Sequence, residues 1–81
     1  MVQWIEERME LKTPFIDLLQ LLKATGNAAT GGDAKAAVEQ GKVQVNGAPE
    51  SRKRRKLYVG DCIELDGRIR IRVVEAPKAD K

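Results

Sequence analysis

The chain has 81 residues, of which 42% are hydrophobic and 33% are charged, and its formal net charge is +3. A chain this short predicts one small domain, residues 1–81, and the three aromatic residues, Trp4, Phe15 and Tyr58, are too few to dominate a core that we expect to be aliphatic. The single cysteine, Cys62, excludes an internal disulfide, and without histidine the chain lacks the usual ligands of a structural zinc site.

The first twelve residues, MVQWIEERMELK, contain no apolar run long enough for a signal peptide or a membrane span. With one cysteine, this favours a soluble protein of the reducing cytoplasm that has no membrane partner. The structure of residues 1–12 stays open, because MEL could add an edge strand and Trp4 and Ile5 could begin a short helix.

Two helices are predicted next. Thr13 and Pro14 have the chemistry of an N-cap and a first helical residue, and Phe15, Leu18, Leu19 and Leu22 form one apolar face, which predicts a helix over 14–25 that ends at Gly26. In TGGDAKAAVEQG, Thr30 and Asp33 have capping-box spacing, Ala34, Ala37 and Val38 share a face, and Gly41 ends the segment.

After Gly41 the apolar period changes to two, which predicts strands. Asn46-Gly47 and Asp66-Gly67 are hairpin turn signals, and the second turn places Ile63 and Leu65 opposite the apolar residues that follow it. Residues 76–81 are expected to form a flexible tail. The order of elements predicts an α+β fold in which two N-terminal helices pack on a small antiparallel sheet of hairpins.

Catalysis is not expected. The sequence offers no histidine base, no nucleophile with a base beside it and no carboxylates at metal-ligand spacing, so we predict no catalytic residue, no metal and no cofactor. GNAATGG, residues 26–32, has the opening of a phosphate-binding loop, but Gly32 stands where lysine is required. Cys62 is interpreted as a small strand residue and not as a reactive thiol.

The positive charge is concentrated in the second half of the chain. Residues 1–33 hold three basic and five acidic side chains, whereas residues 34–74 hold ten and five. SRKRRK, residues 51–56, places five cations together: Arg52, Lys53, Arg54, Arg55 and Lys56. Five adjacent cations are unusual as a mere solvated surface, and a nuclear import signal would lie outside the fold, so binding to nucleic acid phosphates is favoured.

Three other features could contribute. Thr30, Gly31 and Gly32 leave backbone amides accessible at the start of the second helix, where Lys35 adds charge, Asp33 competes for the same field, and an ordinary helix cap is as good an explanation. Arg68, Arg70 and Arg72 form one stripe, more typical of the solvent side of a sheet. Tyr58 could stack an unpaired base, although a half-buried strand tyrosine is the commoner situation.

Taken together, TGGDAKAAVEQGKVQVNG and SRKRRKLYVGDCIEL resemble the RNA-binding domain named after the fourth protein of the small ribosomal subunit, the αL motif. The resemblance spans about residues 13–66 and is greatest to its small stand-alone bacterial members, the YbcJ/YaaA-like group. It implies binding to structured RNA through Thr30, Gly31, Gly32, Lys35, Lys42 and residues 52–56. We expect the protein to be a monomer whose target is ribosomal RNA, with transfer RNA as a second possibility.

One departure from the family matters, because many larger members have arginine where this chain has Gly31. The later basic cluster would then have to supply more of the binding. A protein-interaction adaptor, in which the cluster meets an acidic partner, is the alternative from another class. A binder of double-stranded DNA is a weaker alternative, since neither helix carries a row of base-reading side chains.

Overall fold

The computed structural model describes residues 3–77, which form an α+β fold. Its strands and helices, in chain order, are β1 (Ile5–Leu11), β2 (Ile16–Asp17), α1 (Leu18–Ala24), α2 (Gly31–Glu39), β3 (Val43–Val45), β4 (Ala48–Pro49), β5 (Lys56–Leu57), β6 (Cys62–Leu65) and β7 (Ile69–Glu75). The end of the expected tail, residues 78–81, lies outside the described residues.

The main sheet has five strands in the order β1-β7-β6-β3-β4 and is mixed. β1 runs parallel to β7, with Ile5 opposite Ile69, whereas the other neighbours are antiparallel. The expectation of helices first and a purely antiparallel sheet was therefore wrong. Residues 5–11 form an edge strand because Met9 and Leu11 turn toward the core while the alternate residues face water.

Both predicted turns are present. Asn46 and Gly47 have φ angles of 52° and 86°, and their loop places Val45 opposite Ala48. The second turn also has positive φ angles, 57° at Asp66 and 65° at Gly67, and Arg68 completes its loop. The register that follows sets Ile63 opposite Ile71 and Leu65 opposite Ile69, as the apolar pattern predicted.

Helix α1 begins later than expected. Its N-cap is Asp17, whose carboxylate accepts a hydrogen bond from the Gln20 N–H at 2.9 Å. The predicted cap, Thr13, instead donates its hydroxyl to the Phe15 carbonyl at 2.8 Å. The reason is strand pairing, because Ile16 and Asp17 are extended and pair with Leu57 and Lys56 in a separate two-stranded sheet, β2-β5. That pairing also takes Phe15 out of the core and leaves it 39% exposed.

Helix α2 follows the prediction. The Thr30 hydroxyl accepts a hydrogen bond from the Asp33 N–H at 3.1 Å, and Ala34 and Val38 are buried. Side chains from both helices and from the inner face of the main sheet form one core, whose buried apolar members within residues 3–77 are all aliphatic. No helix in this part of the chain is long and apolar enough to cross a membrane.

Candidate nucleic-acid interface

The basic loop, residues 52–56, follows β4 and ends at Lys56, the first residue of β5, so it is a folded part of the protein. Its turn is closed by a hydrogen bond of 3.4 Å from the Arg55 N–H to the Arg52 carbonyl. The carbonyl of Arg55 then accepts from the Leu18 N–H at 3.0 Å, which ties the loop to the start of α1. The loop is therefore held against the body of the domain at a defined place.

A buried carboxylate organises the start of the loop. Glu50 is only 7% exposed, and no other charged or polar side chain of residues 3–77 is as fully buried. Its oxygens accept from the Arg52 backbone N–H at 2.8 Å, from Arg52 Nε at 3.0 Å and from Arg55 Nη1 at 2.7 Å. The side-chain hydrogen bonds of Arg52 and then of Arg55, with a smaller effect of the Arg52 backbone N–H, lower the pKa of Glu50 to about 2.

The other three cations of the loop have weaker partners at the surface. Lys53 Nζ lies 2.6 Å from Glu39 Oε2, and Arg54 Nη1 lies 3.8 Å from Asp17 Oδ2. Lys56 Nζ sits 4.7 Å from the centre of the Phe15 ring. Ion pairs at a protein surface are weak because water and salt screen them, so an incoming phosphate could displace those of Lys53 and Arg54.

Four of the five cationic residues of the loop border one open depression. This depression of about 520 Å³ is lined by Arg52, Arg54, Arg55 and Lys56. The arginine side chains differ in exposure, because that of Arg54 is 78% exposed and that of Arg55 only 29%. The depression thus has an outer, solvated cation and an inner one that is held by Glu50.

Lys53 joins this loop to helix α2. Its partner Glu39 is in the last turn of α2, four residues after Lys35, so Lys35 and Glu39 are neighbours on the helix surface. The pKa of Glu39 is lowered first by the hydrogen bond and charge of Lys53, and further by the charge of Lys35. The structure therefore brings Lys35 and the basic loop together around one carboxylate.

The small-residue start of α2 lies farther along the same helix. Gly31 precedes Glu39 by eight residues, a distance of about 12 Å along the axis. Of the amides there, that of Asp33 is already bonded to the Thr30 hydroxyl. A Cβ atom built at Gly31 meets nothing within 4 Å, whereas one at Gly32 lies 3.7 Å from the Thr30 hydroxyl oxygen.

Lys42 lies beside the start of the basic loop. The carbonyl of its neighbour Val43 accepts from the Glu50 N–H at 3.1 Å, so the backbone here is beside the start of the basic loop. Lys42 also lines a different depression, of about 490 Å³, together with Trp4 and Glu64. It therefore stands between the basic loop and the outer face of the main sheet.

On that outer face, Arg70 is paired with neighbouring side chains of the sheet. Arg70 Nη1 lies 3.1 Å from Glu6 Oε2, Arg70 Nε lies 3.4 Å from Glu64 Oε2, and the guanidinium covers the Trp4 ring at 4.5 Å.

Burial, followed by the charge of Glu64, raises the pKa of the Cys62 thiol in β6, so this group is protonated at neutral pH. Within residues 3–77, no cluster of three His, Cys, Asp or Glu side chains could hold a metal ion.

Sequence reasoning missed two residues of the site. Phe15 was assigned to the core because its spacing to Leu18, Leu19 and Leu22 is that of a helix face. Glu50 is not among the residues predicted for the site, although an acidic residue two positions before five cations is a local signal that could have identified it as their anchor.

Glu50 makes the stability of the domain depend on pH in a defined window. Because its pKa is lower in the folded than in the unfolded chain, its contribution is present above about pH 4.5 and is lost as the pH falls toward 2. Glu50→Gln should lower the free energy of unfolding by about 1–2 kcal/mol at pH 7. Urea unfolding of both proteins between pH 2 and pH 7 measures this difference in the free energy of unfolding. The difference from wild type should shrink at low pH, and one that is constant with pH would contradict the assignment.

Comparison with known proteins supports the resemblance drawn from the sequence. The family model described as "S4 domain" matches residues 9–74. The chain is 41% identical over 56 residues to a protein of Escherichia coli (strain K12) named "Putative RNA-binding protein YbcJ", covering 69% of this chain and 80% of that one. It is 41% identical over 59 residues to "Probable ribosome maturation protein RlbA" of Bacillus subtilis (strain 168), covering 73% and 83%.

The fold agrees with these sequence matches. The solution structure of YbcJ from Escherichia coli, described as revealing an αL motif involved in RNA binding, superposes with a TM-score of 0.63 at 35% identity, over 91% of each chain. The family match covers most of this chain, and the relatives are matched over most of their own length. The chain therefore belongs to the S4 domain family.

Proposed function

We propose that this protein binds structured RNA without catalysing a reaction, and that it does so with a surface made of the basic loop, Lys35 and the start of α2. The observation that carries the proposal is the contact between Lys53 and Glu39, which joins the loop to the helix that bears Lys35. The relatives named as an RNA-binding protein and as a ribosome maturation protein support it.

The two kinds of ion pair in the loop suit this function. Arg52 and Arg55 are held by buried Glu50 and keep the loop in place. Lys53, Arg54 and Lys56 face solvent in weak pairings, so RNA phosphates can replace Glu39 and Asp17 as their partners. Arg52 can take part as well, since its side chain is 71% exposed and has donors beyond those that bind Glu50.

The RNA is proposed to be ribosomal, with transfer RNA as the second choice, because one relative is named for ribosome maturation. The protein would act as a monomer in the cytoplasm, where ribosomes are assembled. In the alternative function, the partner of the basic loop would be an acidic protein. That alternative would be favoured if substitutions in the basic loop did not change the affinity for RNA.

Replacing two outward cations should weaken RNA binding through charge alone. For the Lys53→Gln/Arg54→Gln variant, the slope of log affinity against log salt should become shallower by about 1.5, because two phosphate contacts are lost. Arg52 and Arg55 are left intact, since Glu50 would otherwise be a buried, unpaired carboxylate. Fluorescence anisotropy with a labelled RNA hairpin over a range of salt measures the slope.

The matched control is Arg8→Gln, which removes an exposed cation from β1 on the face of the sheet away from the helices. It should leave the slope nearly unchanged. Equal slopes for wild type and the double variant would contradict the proposed surface. A double-stranded DNA of the same length at the same salt should bind more weakly than the RNA hairpin.

A substitution at Gly31 that increases the affinity for RNA would test whether the start of α2 belongs to the binding surface. Gly31 lies four residues before Lys35, so an arginine there would extend the same helix face, and its Cβ would have open space. Gly31→Arg should steepen the salt slope by about 0.7–0.9 by adding one phosphate contact. The uncharged Gly31→Gln is its control, and an arginine variant that binds like the glutamine variant would remove the start of α2 from the interface.

A further inference from the structure

Two of the three aromatic side chains of the protein lie on its surface beside the basic loop. Phe15 is 39% exposed and Tyr58 is 50% exposed, and their ring centres are 6.0 Å apart at an angle of 53°. Val59, next to Tyr58, is 53% exposed. Because the core is aliphatic and holds neither ring, the exposed pair of Phe15 and Tyr58 is available for a role outside folding.

Hydrogen bonds hold the backbone at Tyr58 in place. The Tyr58 N–H donates to Asp61 Oδ2 at 2.8 Å, and the Asp61 N–H donates to the Tyr58 carbonyl at 3.0 Å. Asp61 is itself fixed by a hydrogen bond of 3.1 Å from the Asn46 side chain to its other carboxylate oxygen. A ring on so constrained a turn loses little entropy when a flat ligand stacks on it.

Two cations of the loop contact residues of the segments that carry this aromatic pair. Phe15 and Tyr58 flank the two-stranded sheet in which Ile16 pairs with Leu57 and Asp17 with Lys56. Lys56 Nζ lies over the Phe15 ring, and Arg54 contacts Asp17 on the neighbouring strand. An exposed ring and solvated cations thus lie side by side, which is the combination that a nucleotide requires.

We propose that Tyr58 stacks an unpaired RNA base, that Phe15 braces its ring, and that Lys56 and Arg54 meet the phosphates on either side. This rests on the proposed RNA-binding function and narrows its substrate to RNA in which a bulge, loop or end exposes a base beside a helix. A base needs only one aromatic ring, whereas a stable protein interface buries about 800 Å² on each partner, far more than these three side chains offer.

The test uses two RNA hairpins that differ only in one bulged 2-aminopurine. Wild type should quench the fluorescence of the bulged base on binding. Tyr58→Ala should abolish that quenching and weaken binding of the bulged hairpin on the order of tenfold. Its affinity for the fully paired hairpin and its salt slope should match wild type, because no charge has changed.

Three further variants separate stacking from folding and from general apolar contact. Tyr58→Phe should keep the quenching, Tyr58→Leu should lose it although it keeps apolar volume, and Val59→Ala should behave as wild type. The inference is overturned if the bulged base is not quenched by wild type, or if Tyr58→Ala and Tyr58→Leu bind both hairpins as wild type does. If Lys53→Gln/Arg54→Gln still weakens binding in that case, RNA binding stands and only the stacking fails.

Discussion

The hydrogen-bonded ion pairs between the Glu50 carboxylate and the guanidinium groups of Arg52 and Arg55 are the interaction on which the basic loop depends. A buried carboxylate is tolerated only when its oxygens are satisfied, and here Arg52 supplies both a backbone and side-chain donors while Arg55 supplies another. The chain is thereby turned immediately before its densest run of cations. The mutual repulsion of those cations is reduced by Glu50 at Arg52 and Arg55, and by Glu39 and Asp17 at Lys53 and Arg54.

The carboxylates around the loop differ in what they do for binding. Glu50 is buried, and its removal would leave Arg55 without its main partner. Glu39 and Asp17 contact Lys53 and Arg54 at the surface, where a competing phosphate can take their place. Glu50 therefore fixes the shape of the basic loop. Glu39 and Asp17 determine how much of the positive charge of the loop is neutralised in the absence of RNA.

Local chemistry made part of this structure predictable. The turns at Asn46-Gly47 and Asp66-Gly67 and the start of α2 at Thr30 depend on nearest neighbours, and the sequence predicted each of them. The start of α1 was missed because Ile16 and Asp17 pair with residues forty positions later, which outweighs the Thr13-Pro14 signal. The parallel pairing of β1 with β7 and the contact of Lys53 with Glu39 are also non-local, and no pattern along the chain encodes them.

The most direct test of this account compares two substitutions that change the charge identically. Glu39→Gln frees Lys53 and should strengthen binding of an RNA hairpin by a few-fold, as simple electrostatics predicts. Glu50→Gln also removes one negative charge, yet it should weaken binding by about fivefold or more, because Arg52 and Arg55 lose the partner that positions the loop. The measurement is the dissociation constant of each variant at one salt concentration, with folding verified by circular dichroism. Stronger binding by both variants would contradict the account, since the cations would then act through their charge alone.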